Sequence, residues 1–251
     1  ARRGQGAAGV PGPATVAVHP GRPAVAAAAA ARLVVAIVDA QCARGVAQIS
    51  MTGGSMGSQI ISSLCAVPAR DAVDWSQVHV WWGDERWLPA GDPDRNDTQN
   101  DQAGLATLGL TPEHVHRVAG PDTSESAEAS AALYEQALRE HGGGMFDVMV
   151  LGVGPDGHVA SLFPHHPAAA STAGIAIAVH DSPKPPPTRV SLTRECLERS
   201  REVWFLVSGA DKADAVLRGT TGAPFETTPA AHVHGIERTL WPVDDAAAGD
   251  P

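Results

Sequence analysis

What the chain lacks narrows its class first. Cysteine occurs three times, at Cys42, Cys65 and Cys196, and no pair stands at metal-ligand or redox spacing. That excludes a disulfide framework, and the three read as reduced, mostly buried thiols of an intracellular protein. Cations are in deficit: 18 Lys and Arg against 28 Asp and Glu, a formal charge of -10. Such a chain is a poor partner for nucleic acid or an anionic membrane, where each phosphate contact calls for a cation. A site for a small anion stays open, because it needs only a few converging cations. No uncharged apolar run reaches the ~18 residues of a transmembrane helix, and the longest candidate, 25–38, is cut by Arg32. Pro11, Pro13, Pro20 and Pro23 interrupt the region after Arg2 and Arg3, which argues against a secretory signal. There is no internal repeat, no basic helix-turn-helix pattern and no Gly-x-Ser-x-Gly nucleophile elbow.

What is present is a regular alternation. With 251 residues, 43% of them apolar, the chain has material for one sizeable core. It reads as a single domain over 1–251, with 1–14 and 246–251 as loose tails and the stretch from Asp244 onward frayed. A short strand at 15–18 precedes a helix that Pro23 opens, that Ala26 to Ala31 favour by propensity, and that Arg44 and Gly45 close. Strands are predicted at 46–51, 78–82, 115–118, 146–151, 175–179, 189–192 and 203–207. Helices are predicted at 56–64, 124–141 and 211–218, with a further one bearing Leu197. Several strands are apolar throughout, as in a mostly parallel sheet with helices on both faces, so the fold class is α/β.

Four loops carry the chemistry, and each follows or joins predicted strands. Gly53-Gly54-Ser55 opens a helix after a strand, a place where backbone N–H groups and the positive helix end receive an anion. By itself that turn is also an ordinary helix cap. Asp84, Glu85 and Arg86 follow the strand that carries Trp81 and Trp82; they are either a solvated ion-pair cluster or a polar wall of a cleft. The turn from Gly152 to His158 places a histidine beyond a buried strand end, where it can serve as a base with Asp156 orienting the ring. The loop from Ser182 to Arg189 holds Lys184 and Arg189 on a proline-stiffened backbone, and Lys212 adds a further cation. His165 and His166 lie between prolines and read as surface residues. His232 and His234 have no third ligand in view, and no metal site is expected.

The order of these motifs resembles the 6-phosphogluconolactonase family. The resemblance runs over about 46–245 and rests on Gly53-Gly54-Ser55, Trp82-Gly83-Asp84-Glu85-Arg86, Gly152 to His158, Ser161-Leu162-Phe163-Pro164, Ser182 to Arg189, and Trp204 to Gly209 with Lys212-Ala213. The Gly-Asp-Glu-Arg and Ser-Pro-Lys-Pro-Pro-Pro loops set it apart from the related glucosamine-6-phosphate deaminases. Met56 departs from the small or hydroxylated residue expected there, and 1–45 carry no part of the match. The resemblance implies a modified Rossmann-type sandwich and hydrolysis of 6-phospho-D-glucono-1,5-lactone to 6-phosphogluconate without metal or cofactor. It also implies His158 as general base, with Arg86 and the cationic loops on the substrate. The expected partner is a small-molecule sugar phosphate, for a monomer in the cytoplasm. Two alternatives remain: an isomerase or deaminase of the same fold in which Asp84 moves protons between carbons, and a sugar-phosphate sensor without turnover.

Overall fold

The structure, a computed structural model, describes residues 14–142 and 144–249. In chain order its elements are β1 (Ala14–His19), α1 (Arg22–Arg44), β2 (Ala47–Met51), α2 (Gly54–Ala66), β3 (Val78–Trp82), β4 (Asp84–Arg86), α3 (Asn96–Gln102), α4 (Ala127–Glu140), β5 (Val148–Leu151), β6 (Ala176–Val179), β7 (Arg189–Leu192), α5 (Arg194–Leu197), β8 (Glu202–Phe205), α6 (Ala213–Thr220), β9 (Arg238–Asp244) and α7 (Asp245–Ala248). Six strands form one sheet in the order β1-β9-β8-β5-β2-β3, parallel at every pairing. β4, β7 and β6 form a second, antiparallel sheet.

Side-chain alternation along the central strands divides the interior in two. Val148 and Val150 of β5 enter the core under α1 and α2, whereas Met149 and Leu151 enter the core shared with α4, α6 and the second sheet. Trp204 and Leu240 join the first core, and Phe205 and Trp241 the second. A strand buried on both faces must be apolar at every position, which is why these runs read as continuous.

Helix α1 is long and apolar enough, by length and composition, to cross a membrane. Here it is a core helix: Val25, Ala29, Leu33 and Ile37 are fully buried against the parallel sheet. Its C-terminus closes as expected, with Gly45 at φ 77° and its N–H on the Gln41 carbonyl.

Several expectations need correction. The predicted strand at 115–118 is a single bridge, Val115 to Val80, because 3₁₀ turns and Gly120 leave the edge of β3 no longer partner. The polar stretch 83–96 is not all loop: β4 extends the second sheet and α3 begins at Asn96. Helix α4 starts later than predicted, since Ser126 accepts from the Ala129 N–H and caps it. The C-terminal stretch from Asp244 is not frayed over the described residues. Asp244 accepts from Ser208, Gly209 and Ala247, and Ala247 is fully buried. Ala14 belongs to β1, so the N-terminal tail as drawn was one residue too long; the remainder, 1–13, lies outside the described residues, as do 250–251. Cys196 is buried, but Cys42 is exposed, on the solvent side of α1.

Candidate active site

β2 leads to β3 on one side of the sheet, and β5 to β8 on the other, so the chain reverses direction across the sheet between β2 and β5. In open parallel sheets the crevice at such a point, beyond the carboxyl ends of the strands, is the natural ligand site. A cavity of about 270 Å³ lies there. Gly53, Gly54 and Ser55 line it from the β2 loop, Asp84 and Arg86 from β4, Gly154 and His158 from the β5 loop, Arg189 from β7, and Lys212 from the turn before α6. Lys184 and Asp156 stand one layer behind this wall, against His158.

The His158 ring is held on one side. Its Nδ1 lies 2.6 Å from Asp156 Oδ1. With Nδ1–H donating to that carboxylate, Nε2 keeps its lone pair. The Lys184 ammonium is 3.3 Å from the same oxygen. Burial raises the Asp156 carboxyl, but the His158 and Lys184 contacts outweigh it and hold the group below the usual carboxylate range. Burial also penalises the imidazolium, with Lys184 acting in the same sense, so the His158 pKa lies below the ordinary histidine value despite Asp156 and Asp84. The glycine at 154 is a matter of space: a Cβ there would come within 2.0 Å of His158 Nδ1. Arg218 fixes the turn from beneath, donating to the Pro155 carbonyl at 3.0 Å and to Thr228 Oγ1 at 2.6 Å.

Asp84 is buried and has contacts on both oxygens. Ser161 Oγ donates to its Oδ2 at 2.6 Å, Asn96 Nδ2 to its Oδ1 at 3.4 Å and to its carbonyl at 2.7 Å, and Arg189 Nη1 stands 3.8 Å from Oδ2. Arg189 spends its other donors on the carbonyls of Lys184, Pro185 and Pro186. One carboxylate thereby ties the second sheet, the β5 loop and the proline loop together. Glu85 caps α3, accepting from the N–H groups of Asn96 at 2.7 Å and Asp97 at 2.9 Å and from its neighbour Arg86 at 2.7 Å. Burial, with Asp97 in the same sense, pushes its carboxyl up to about 7 against Arg95 and the backbone donors.

The remaining cations keep donors for a ligand. Arg86 gives Nη1 to the Asp94 carbonyl at 2.5 Å, but its buried Nε has no partner. Lys212 gives one of its three protons to the Val153 carbonyl at 2.8 Å, and burial lowers its pKa. At the α2 N-terminus the Gly54 N–H is taken by Gln99 Oε1 at 2.8 Å. That leaves the amides of Ser55 and Met56, which have no acceptor within the helix. A Cβ at Gly53 would lie 1.9 Å from Asn96 Oδ1, so the loop needs glycine where α3 crosses it. Asn96, Gln99 and Arg218 were not foreseen as parts of the site. Their partners are 12, 45 and 62 or 63 residues away, and no local pattern in the sequence marks such pairings.

With this geometry in view, comparison with known proteins is informative. The family described as Glucosamine-6-phosphate isomerases/6-phosphogluconolactonase matches residues 20–241. The chain belongs to this family. A 6-phosphogluconolactonase of Streptomyces coelicolor is 50% identical over 240 residues, covering 92% of each chain. One of Mycobacterium tuberculosis is 43% identical, covering 94% of this chain and 98% of that protein. The crystal structure of 6-phosphogluconolactonase from Thermotoga maritima superposes with TM-score 0.82 over 92% of this chain and all of its own, at 22% identity. A monomeric glucosamine-6-phosphate deaminase does nearly as well, with TM-score 0.78 at 19% identity, covering 93% of this chain and 98% of its own. The fold is thus common to both chemistries, and the choice between them rests on the site.

Proposed function

We propose that this chain hydrolyses 6-phospho-D-glucono-1,5-lactone to 6-phospho-D-gluconate, the second step of the oxidative pentose phosphate pathway. The observation that carries the reading is His158: its Nδ1 is bound to Asp156 and its Nε2 is left basic, on a cavity wall that it shares with Arg86 and Lys212. Two relatives at 43% and 50% identity bear the lactonase name.

A lactone is an activated ester, so water attacks its carbonyl carbon directly and no acyl-enzyme is needed. His158 Nε2 takes the proton of that water as the new C–O bond forms. The carbonyl oxygen gathers negative charge, which the Arg86 guanidinium on the cavity wall stabilises. The ring C–O bond then breaks, and the imidazolium returns the proton to the departing ring oxygen. Lys212 and the Ser55 and Met56 amides receive the phosphate at the α2 N-terminus, whose binding energy holds the ring in place. Lys184 serves from behind the wall, sharing Asp156 with His158, and Arg189, on the wall itself, holds Asp84 and the proline loop. The same reading makes the chain a cofactor-independent cytoplasmic monomer.

The deaminase reading asks Asp84 to shuttle protons between carbons. Ser161, Asn96 and Arg189 gather on its two oxygens, which supports a strut over a mobile base. The deciding experiment measures turnover of the lactone, with spontaneous hydrolysis subtracted, beside turnover of glucosamine 6-phosphate. Lactone turnover that His158→Ala abolishes is expected; preference for the amino sugar would overturn the assignment.

A further inference from the structure

At the other end of the parallel sheet, histidines gather where the proposed reaction has no use for them. His79 lies near the start of β3, five residues before Asp84 and so on the order of 16 Å from it along an extended chain. His116 is brought beside it by its own N–H, which donates to the Val80 carbonyl at 2.9 Å. His141 closes α4, its N–H on the Ala137 carbonyl. One ring nitrogen from each of the three lies within 4.8 Å of the other two. His79 Nδ1 and His116 Nε2 are already 2.8 Å apart.

The surroundings hold these rings in place. His116 stacks on Trp81 at 3.7 Å between centroids, and His79 stacks on His114 at 3.9 Å. Gln48 links the cluster, accepting from Trp81 Nε1 at 2.7 Å and donating to the His141 carbonyl at 2.7 Å. Among the described residues no carboxylate pairs with any of the three imidazoles. His79 and His116 are each 8% exposed while His141 is exposed, so the cluster has two fixed members and one at the solvent side.

We propose that His79, His116 and His141 form a binding site for a divalent transition-metal cation of the zinc type, separate from the catalytic cavity. A donor set of neutral imidazoles without oxygen ligands suits Zn(II), Co(II), Ni(II) or Cu(II) and not Mg(II) or Ca(II). Three histidines fill three corners of a tetrahedron and leave the fourth to water from the exposed side. Burial, with the neighbouring histidines in the same sense, lowers His79 to about 4 and His116 to about 3, so protons do not compete for these lone pairs at neutral pH. Zn–N bonds of about 2.0–2.1 Å put tetrahedral ligands roughly 3.3 Å apart. The His79–His116 contact must therefore open by about half an ångström and His141 swing inward, which its exposure permits. The competing arrangement is a hydrogen-bonded imidazole pair that takes no ion.

The test uses the full chain without a polyhistidine tag, stripped with chelator and titrated with zinc chloride at neutral pH by calorimetry. One equivalent is expected to bind with a Kd of about 1 µM or tighter, and cobalt(II) is expected to give the visible bands of a four-coordinate site. His141→Ala, at an exposed position that should not disturb folding, is expected to weaken zinc binding roughly tenfold or more while lactone turnover and the zinc-free melting temperature stay unchanged. His158→Ala and His232→Ala are expected to bind zinc as the parent does, which assigns the ion to this cluster. Absence of saturable binding up to about 100 µM zinc, or unaltered binding by both His141→Ala and His116→Ala, would overturn the proposal.

Discussion

Two histidine regions stand at opposite ends of one sheet, and they differ in what surrounds the rings. His158, at the carboxyl ends of the strands, has a carboxylate and an ammonium on its Nδ1 side. His79 and His116, at the amino end of β3, have indole and other imidazoles. Both environments are buried and both disfavour the imidazolium. Only the first supplies an anion that orients the ring and would steady a positive charge on it. The first arrangement suits a group that must gain and lose a proton; the second suits a group that stays neutral and offers a lone pair.

The sharpest way to break this contrast is His158→Ala. It should reduce lactone turnover ~10²–10⁴-fold with an unchanged thermal melt, and a rate above half the parent's would remove the ring from the mechanism. Arg86→Lys tests the cationic side of the same region. Lysine keeps the charge but not the planar donor edge, so a loss on the order of 10²-fold is expected, mainly in kcat because the oxyanion exists only in the transition state. Normal kcat with normal melting would return Arg86 to a surface pair. Asp84→Asn should cost less, about tenfold, since it loosens Ser161 and Arg189 without removing a reacting group. A loss as deep as that of His158→Ala would restore Asp84 to the proton chemistry.

The pH profile sharpens the comparison further. A base must be neutral, and the folded His158 pKa lies below the ordinary 6.5. The midpoint of the acid limb of kcat/KM should then lie below pH 6.5. Asp156 raises the ring pKa, so in Asp156→Asn the acid limb should move to still lower pH even as the rate falls; a limb moving upward would contradict this assignment. The smallest effect is expected at the other end of the sheet: His141→Ala should leave lactone kinetics within about twofold of the parent, because nothing of its cluster reaches the cavity. A larger change would join the two regions that the structure separates.

Much of the architecture was open to reading from local chemistry. Continuous apolar runs announce strands buried on both faces, Gly45 ends a helix, and glycine turns mark strand ends, because each of these depends on residues within one or two turns of chain. The order of loops followed, and with it the position of a cavity at the carboxyl ends. β9 has no clear signal in the sequence: Glu237 precedes it, Arg238 opens it and Pro242 interrupts its apolar run, and only pairing with β1 and β8 makes it a strand.

By itself, then, the sequence determined the α/β class, the loops that line the cavity and the histidine held beside a carboxylate there, since spacing along the chain encodes all of these. Tertiary structure alone decided how the cations divide their work. Nothing local distinguishes Arg189, consumed by Asp84 and loop carbonyls, from Arg86, whose Nε has no partner. Nor does anything local bring His79, His116 and His141 together. Hydrogen bonds and stacking are made across space, and Asp84 and Arg189, like the three histidines, stand tens of residues apart, where folding and not adjacency selects them.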